Sequence, residues 1–364
     1  KWDTPFETAP FEKIKVEHYL PAFEAAIAEH NTEIQAIIDN AEAPTFDNTI
    51  AALDYSGETL SKVAGVFFNM MAANTSEELQ KVNEQVGPMM ATHSDNVSMN
   101  AKLFEKIKAV YDAKDSQKYT GEQLALLEKT YNKFVRSGAL LDAAKQEELR
   151  KVNAELTKVE SKFDANLLKE SKAYQLVIDK EENLKGLPQG EIEKAAALAK
   201  QEGKEGKWIF TLDNPSFMPF VTYADNRDLR KEIFNARVNR CNNGGETDNN
   251  ALVAQMSELR AKKAQLLGYE TFAHYQLEER MAKEPKAVFD LLENLLSYSV
   301  KVAKEEAAQF QTMLSKDVPG AKLEAWDMYY YAEKVRQQKY NFDAELTRPY
   351  FEINKVRQGC FDVL

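Results

Sequence analysis

A long stretch of this chain, from Ala139 to Leu184, contains neither Gly nor Pro and so has no helix breaker. Within it, apolar residues recur three and four positions apart, at Leu149, Val152, Leu156, Val159, Phe163 and Leu167. This spacing puts them on one side of an α-helix and predicts an apolar seam about 20 residues long. A free-standing coiled coil fits the pattern, but the amphipathic helix that precedes it in the sequence favours packing against that neighbour.

Helical spacing recurs along most of the 364 residues, which include only 14 Gly and 11 Pro. Apolar stripes predict helices over 20–38, 288–302 and 326–340. We expect Gly87-Pro88 to separate two helices. Thr120 and Gln123 have the spacing of a capping box and predict a helix start.

Two short segments have the character of strands. Tyr174, Leu176 and Ile178 alternate along the first, and the second runs through Trp208–Leu212. We therefore expect a mainly α fold with a small β element around 173–178 and 207–212. The Gly-rich loop that ends at Gly245 indicates a lobe boundary, which divides the chain into 1–240 and 241–364.

Charge and composition exclude several function classes. Acidic residues outnumber basic ones by 58 to 47, and the two signs are interleaved, which argues against a nucleic-acid partner. The sequence has no run of roughly 20 apolar residues, so we expect no membrane insertion. The two cysteines, Cys241 and Cys360, are far apart and indicate neither a disulfide framework nor a thiolate metal site.

The histidines do not form a recognisable catalytic or metal-binding motif. A helical zinc site needs two His four residues apart, and none of the four His has such a partner. His274 and Glu278 have that spacing but would supply only half a site. His93-Ser94-Asp95 contains the residue types of a triad, but such sites are defined by geometry and not by adjacency in sequence. We assign no catalytic residue and no metal ligand.

The densest aromatic cluster is Trp326–Tyr331, interrupted by Asp327 and Met328. On a helix these side chains point in several directions, so the cluster predicts core packing, with the wall of a peptide- or ligand-binding channel as the alternative. Tyrosine suits both places, because its ring is apolar and its hydroxyl can bond a substrate.

The order of several short segments along the chain resembles one known family. These segments are Trp2–Phe6, Phe11–Ile14, Glu17–Phe23, Ala43–Ile50, Phe134–Ala139, Leu212–Ser216, Tyr223–Arg227, Leu277–Ala282, Trp326–Tyr330 and Arg348–Phe351. From end to end, the series is similar to the thimet oligopeptidase-like (M3) zinc metallopeptidases, and most similar to their bacterial peptidyl-dipeptidase and oligopeptidase A branch.

The resemblance implies elongated helical lobes with a channel between them that admits short unstructured peptides and excludes folded proteins. It also implies zinc held by an HExxH helix and a downstream Glu, with the motif Glu as general base. Position in the family places the start of the catalytic lobe at 241–364. It makes Trp326, Tyr330, Arg348 and Tyr350 predicted channel-wall residues that contact substrate.

This sequence departs from the family because it contains no HExxH. We therefore expect an N-terminal part of such a peptidase, inactive alone, monomeric and without zinc, whose metal ligands lie outside these residues. The alternative is a non-catalytic helical binding or scaffold module. The first residues, Lys1-Trp2, lack a Met, so we expect a removed leader or a trimmed start. Cytoplasmic and cell-envelope locations both remain open, as do dipeptidyl and endopeptidase specificities.

Overall fold

The computed structural model describes residues 2–342 and 344–364, apart from the side chains of Ala344, Glu345 and Arg348. Helices dominate these residues, which confirms the mainly α fold. The α-helices are α1 Tyr19–Asp39, α2 Ala52–Tyr55, α3 Glu58–Ala73, α4 Glu77–Ser98, α5 Ala101–Asp112, α6 Gly121–Arg136, α7 Ala143–Ala173, α8 Gln189–Gln201, α9 Asn214–Tyr223, α10 Arg227–Val238, α11 Asn250–Leu266, α12 Phe272–Leu277, α13 Pro285–Asp317, α14 Met328–Tyr340 and α15 Ile353–Val363.

Shorter helical turns connect several of these helices. A π-helical segment covers Phe46–Ala51, ahead of α2. The 3₁₀ turns are Pro5–Glu7, Val16–His18, Lys114–Ser116, Glu181–Leu184, Ala325–Asp327 and Ala344–Tyr350. The predicted helix over 326–340 therefore begins as a 3₁₀ turn and continues as α14.

The β element is a two-stranded antiparallel sheet of β1 Leu176–Ile178 and β2 Trp208–Phe210. Leu176 pairs with Phe210, and Ile178 pairs with Trp208. The prediction of a small β element in these two segments is confirmed. Its buried residues join the apolar cores of α8, α9 and α10, so the sheet serves as one wall of a helical core.

The start and end of α6 follow from local chemistry. The Thr120 hydroxyl accepts from the Gln123 amide at 3.2 Å, and the Gln123 side chain accepts from the Thr120 amide at 3.0 Å. The predicted capping box is confirmed. After α6, Gly138 has φ +97°, and a Cβ there would lie 2.7 Å from a methyl carbon of Leu149. A larger residue would be strained by both its backbone and this contact.

The predicted break at Gly87-Pro88 is wrong, because α4 continues through both residues. Leu79, Val86 and His93 recur every seven residues along α4 and are all buried. This packing on both sides of Pro88 outweighs the loss of one helical N–H donor. Tertiary contacts therefore override a local breaker signal.

The apolar seam of α7 is confirmed by the burial of Leu149, Val152, Leu156 and Val159. Polar pairs link the outer face of α7 to α11, among them Arg260 with Glu160 at 2.7 Å. Such half-exposed pairs add little stability individually. The expected packing of the seam against α6 stays a prediction.

The chain divides into two compact units, each built from two stretches. Unit 1 comprises 1–164 and 251–285, and unit 2 comprises 165–250 and 286–364. Unit 1 has cores around Phe67 and Ile107, and unit 2 has cores around Phe220 and Leu314. The functional division into 1–240 and 241–364 stays a prediction. Among the described residues, no helix has the length and apolarity to cross a bilayer.

Candidate functional site

Two segments that carry the family resemblance meet in unit 1. Arg136, at the end of α6, is only 11% exposed in its side chain and donates to the Glu278 carboxylate. Its Nε lies 3.4 Å from Glu279 Oε2, and its Nη2 donates to the Tyr275 carbonyl at 2.7 Å. The guanidinium also stacks 4.4 Å from the centre of the Tyr275 ring. One arginine thus fixes the turn after α12 against α6.

The surroundings of Tyr269 and Arg136 determine the protonation states of both side chains. Tyr269 donates its hydroxyl to Glu278 at 2.6 Å. Burial and this carboxylate raise the pKa of Tyr269 to about 12. Burial works against the charge of Arg136, but Glu278 and Glu279 outweigh it and raise the Arg136 pKa. At neutral pH the phenol of Tyr269 is therefore neutral and the guanidinium of Arg136 is charged.

A surface cleft of about 600 Å³ lies beside Arg136. It is lined by Lys129, Asn132, Lys133, Val135, Arg136, Tyr269, Glu278, Glu279 and Lys283. Clefts of this volume can hold small ligands. Lys129 and Lys133 lie one turn apart on α6, and the lining combines four basic side chains with two carboxylates.

Two other segments of the resemblance meet in unit 2. The Asp327 side chain is fully buried and accepts from Arg227 Nε at 2.9 Å and Nη2 at 2.7 Å. Arg230, whose side chain is 1% exposed, donates to the same carboxylate at 3.2 Å. Arg230 also donates to the Ala224 carbonyl at 2.7 Å. Asp327 therefore ties the start of α10 to the turn that precedes α14.

Burial alone would raise the pKa of Asp327, but bonds from Arg227, the Glu324 amide and Arg230 outweigh it and lower the pKa. The Arg230 guanidinium lies 4.0 Å from the centre of the Tyr330 ring. Tyr330 donates its hydroxyl to Asp225 Oδ1 at 2.8 Å, and burial together with this carboxylate raises the Tyr330 pKa. At neutral pH Asp327 is therefore ionised and Tyr330 is neutral, and the network anchors α14.

The structure brings two of the four predicted channel-wall residues into this region. Trp326 is partly exposed beside Asp327, with Lys231 Nζ 5.1 Å from its ring, whereas Tyr330 is buried in the network. Tyr350 is 78% exposed at the end of its 3₁₀ turn. The side chain of Arg348 lies outside the described residues. A substrate-contacting role for these four residues stays a prediction.

Sequence reasoning missed the residues that organise both regions, namely Arg136, Arg227, Arg230 and Asp327. All but Arg230 lie in segments that carry the resemblance. Membership of those segments was therefore the one indication in the sequence that these residues matter. The missing information was which segment pairs with which, since Arg136 and Glu278 are 142 positions apart.

The histidines are engaged with protein groups. His93 Nε2 lies 2.9 Å from His30 Nδ1, and His30 Nε2 lies 3.1 Å from Ser56 Oγ. Burial lowers the pKa of both rings, and their mutual proximity lowers that of His93 further. Asp95 instead accepts from Asn153 at 3.0 Å. His93-Ser94-Asp95 is therefore not a triad.

The donor set does not fit a zinc site in the described part of the chain. Within residues 2–342 and 344–364, no three His, Cys, Asp or Glu side chains cluster as metal ligands. His274 Nδ1 lies 2.9 Å from Thr271 Oγ1, whereas Glu278 is bound by Arg136 and Tyr269. The half-site that the spacing of His274 and Glu278 allows is therefore not assembled.

Comparison with known proteins agrees with the resemblance to the M3 peptidases. Residues 220–364 match the model of peptidase family M3. The chain is 33% identical to dipeptidyl carboxypeptidase of Escherichia coli and 34% identical to that of Salmonella typhimurium, in each case over 98% of this chain and 53% of the relative. It is 29% identical to oligopeptidase A of Escherichia coli, over 99% of this chain and 54% of that protein. The chain thus spans about half the length of the curated relatives it matches.

Proposed function

Because this chain is homologous to peptidase family M3, we propose that it is the channel-forming part of a zinc-dependent peptidase that cleaves short peptides. In this proposal its helices admit unstructured peptides and exclude folded proteins, and the chain alone is inactive. The proposal applies equally to a cytoplasmic and to a cell-envelope protein.

The observation that carries the proposal is the pairing of the resembling segments in space. The segment of Arg136 meets that of Glu278 and Glu279, and the segment of Arg227 meets that of Asp327. Residues that are far apart in the sequence thus form long-range ion pairs within each unit. This arrangement supports a shared fold with the peptidases beyond a chance series of short motifs.

Zinc would supply the activated water in such a peptidase. Because the chain spans about half the length of these relatives, we propose that the metal ligands lie in polypeptide outside these 364 residues, and we derive no catalytic step here. The residues of this chain would contribute binding and orientation. We propose Trp326, Tyr330, Arg348 and Tyr350 as parts of the channel wall.

A cleavage assay with the purified chain tests the proposed division of labour. We expect no turnover of quenched fluorescent peptides above the blank and no stoichiometric zinc by elemental analysis. Turnover that a chelator abolishes would contradict the assignment of catalysis to other polypeptide. The coding sequence after the Leu364 codon gives an independent test: an HExxH downstream supports the peptidase part, and an immediate stop supports the binding-module alternative.

Peptide binding tests the channel-wall residues. We expect an unstructured peptide to change the tryptophan fluorescence of the chain, and Trp326→Phe to remove most of that change. Trp208→Phe is the matched control, because Trp208 lies within the two-stranded sheet. If Trp326→Phe retains the full signal, Trp326 does not line the channel.

A further inference from the structure

The loop between α10 and α11, residues 239–249, contains the only Asn-Gly pair of the chain, Asn243-Gly244. An asparagine before glycine is chemically unstable, because the backbone nitrogen of the glycine can attack the side-chain amide and no Cβ hinders the approach. Gly244 has φ +70° and open space around it. Both residues are exposed. Water therefore reaches the pair, and the loop leaves room for the attack.

Two carboxylates contact the groups that would react. Gly244 donates its N–H to Asp248 Oδ2 at 2.8 Å. Bonds from the Gly244 and Asn250 amides lower the pKa of Asp248, so an ionised acceptor stands beside the proton that must leave. Asn243 donates its side-chain amide to Glu170 Oε1 at the end of α7.

The reaction balances with water as its only added reagent. The Gly244 nitrogen gives its proton to Asp248 and bonds to Cγ of Asn243, and the bond from Cγ to Nδ2 breaks. Nδ2 leaves as ammonia after it takes up the transferred proton. A cyclic imide remains, and water opens it at either carbonyl to leave aspartate or isoaspartate at position 243.

The new carboxylate would stand where Glu170 now receives a hydrogen bond. Glu170 accepts from the Cys241 amide at 2.8 Å and from the Thr247 hydroxyl at 2.9 Å. Burial works against its charge, but bonds from Thr247, Cys241 and Asn243 outweigh it and lower the Glu170 pKa. Deamidation would therefore replace a donor with a second negative charge beside the carboxylate that holds the loop.

We propose that Asn243 is a deamidation site and that its conversion detaches the α10–α11 loop from Glu170, which exposes the thiol of Cys241. Cys241 is only 5% exposed. Burial and Glu170 raise the pKa of this thiol, so it is unreactive in the intact loop. Lys169 offsets little of the added charge, because it is exposed and already paired with Glu246 at 3.2 Å.

Mass spectrometry of the aged chain tests the reaction. After incubation at mildly alkaline pH, we expect the peptide with Asn243 to show the amide-to-acid mass change in aspartyl and isoaspartyl forms. Asn242 is the matched reference, because it is exposed in the same loop but does not precede a glycine, and we expect it to convert about tenfold more slowly or less. Conversion of Asn243 in the urea-unfolded chain but not in the folded chain overturns the proposal.

Thiol labelling tests the consequence. Asn243→Asp supplies the charge of the product, and we expect iodoacetamide to label Cys241 about tenfold faster than in the unchanged chain. Asn242→Asp is the matched control, because it adds the same charge and keeps the acceptor to which Asn250 donates at 2.7 Å. We expect this control to leave the labelling of Cys241 unchanged. Equal acceleration by both substitutions would contradict the role of Glu170.

The aged chain provides a check that does not depend on the folding of a variant. It was folded before conversion, and we expect its Cys241 to be labelled as fast as in Asn243→Asp, with the exposed Cys360 as internal reference. Asn243→Gln keeps an amide donor but resists ring closure, so ageing should leave its Cys241 slow. If neither ageing nor Asn243→Asp accelerates the labelling of Cys241, the proposal is overturned.

Discussion

Arg230 and Asp327, 97 positions apart in the chain, form an ion pair in which both side chains are almost completely buried. Arg227 completes the carboxylate's set of partners from one turn earlier on α10. Burying charges is costly unless each is paired and hydrogen-bonded. The network therefore makes the position of α14 depend on three side chains being present together.

Asp327→Asn should lower the free energy of unfolding by about 3–5 kcal/mol, because Arg230 would remain buried without its counter-charge. Urea unfolding followed by circular dichroism measures this loss. Asp362→Asn, at an exposed position of α15, is the control and should change stability by less than about 0.5 kcal/mol. Equal effects of the two substitutions would contradict a buried ion pair.

The same substitution should change the acid limb of the stability curve. The folded-state pKa of Asp327 is lowered, so its contribution is complete above the unfolded-state pKa of about 3.9 and declines as the pH falls through the folded value. The unchanged chain should therefore lose more stability below about pH 4 than Asp327→Asn does. Unfolding free energies measured across this range would contradict the assignment if the two curves ran parallel.

Arg136→Met should destabilise unit 1 by about 1–2 kcal/mol, because Glu278, Glu279 and the Tyr275 carbonyl lose a common donor. The value is moderate because both carboxylates are about half exposed. Arg260→Met removes a half-exposed pair with Glu160 and should cost at most about 1 kcal/mol. Thermal or urea unfolding of both variants measures the difference, and a larger loss for Arg260→Met would refute the ranking.

The His30–His93 pair should make the fold sensitive to mild acid. Both folded-state pKa values are lowered, so below the unfolded value of about 6.5 the unfolded chain binds protons that the folded chain excludes. Stability should therefore fall as the pH decreases from about 6.5 through the folded pKa values. His93→Gln should flatten this slope, whereas His18→Gln, at an exposed position, should leave it intact. NMR titration of the ring protons offers a direct check of both pKa directions.

Tyr330→Phe should cost about 1 kcal/mol, because Asp225 loses the hydroxyl that donates to it at 2.8 Å. The neighbouring Tyr329 is 44% exposed, so Tyr329→Phe should change stability by less than about 0.5 kcal/mol. Paired urea curves distinguish the two. Indistinguishable midpoints would mean that the Tyr330 hydroxyl contributes nothing to anchoring α14.

Periodicity and local capping were sufficient to predict most of the helices and the small sheet. The α7 seam and the Thr120 capping box depend on residues within a few positions of each other, so the sequence displays their chemistry directly. Gly87-Pro88 misled the prediction because the packing of α4 involves residues from other helices. Local signals report intrinsic preference, and tertiary burial decides where the preferences conflict.

The candidate site was much less accessible from sequence. Trp326 and Tyr330 were selected as aromatic residues, but Arg230 and Asp327, which form the buried ion pair beside them, gave no local signal. An isolated Arg or Asp resembles any exposed charge until its partner is known. Pairing at such distances follows from the complete fold and cannot be derived from spacing.

The contact between Arg136 and Glu278 also has a consequence in time. A ribosome that adds about 5–20 residues per second needs roughly 7–30 seconds to synthesise the 142 positions between them. For part of that interval α6 can form, but Glu278, the carboxylate partner of Arg136 at its end, is not yet synthesised. The order of synthesis thus delays completion of unit 1 until residues 251–285 have left the exit tunnel, and a nascent chain halted earlier would present Arg136 to solvent without its carboxylate partners.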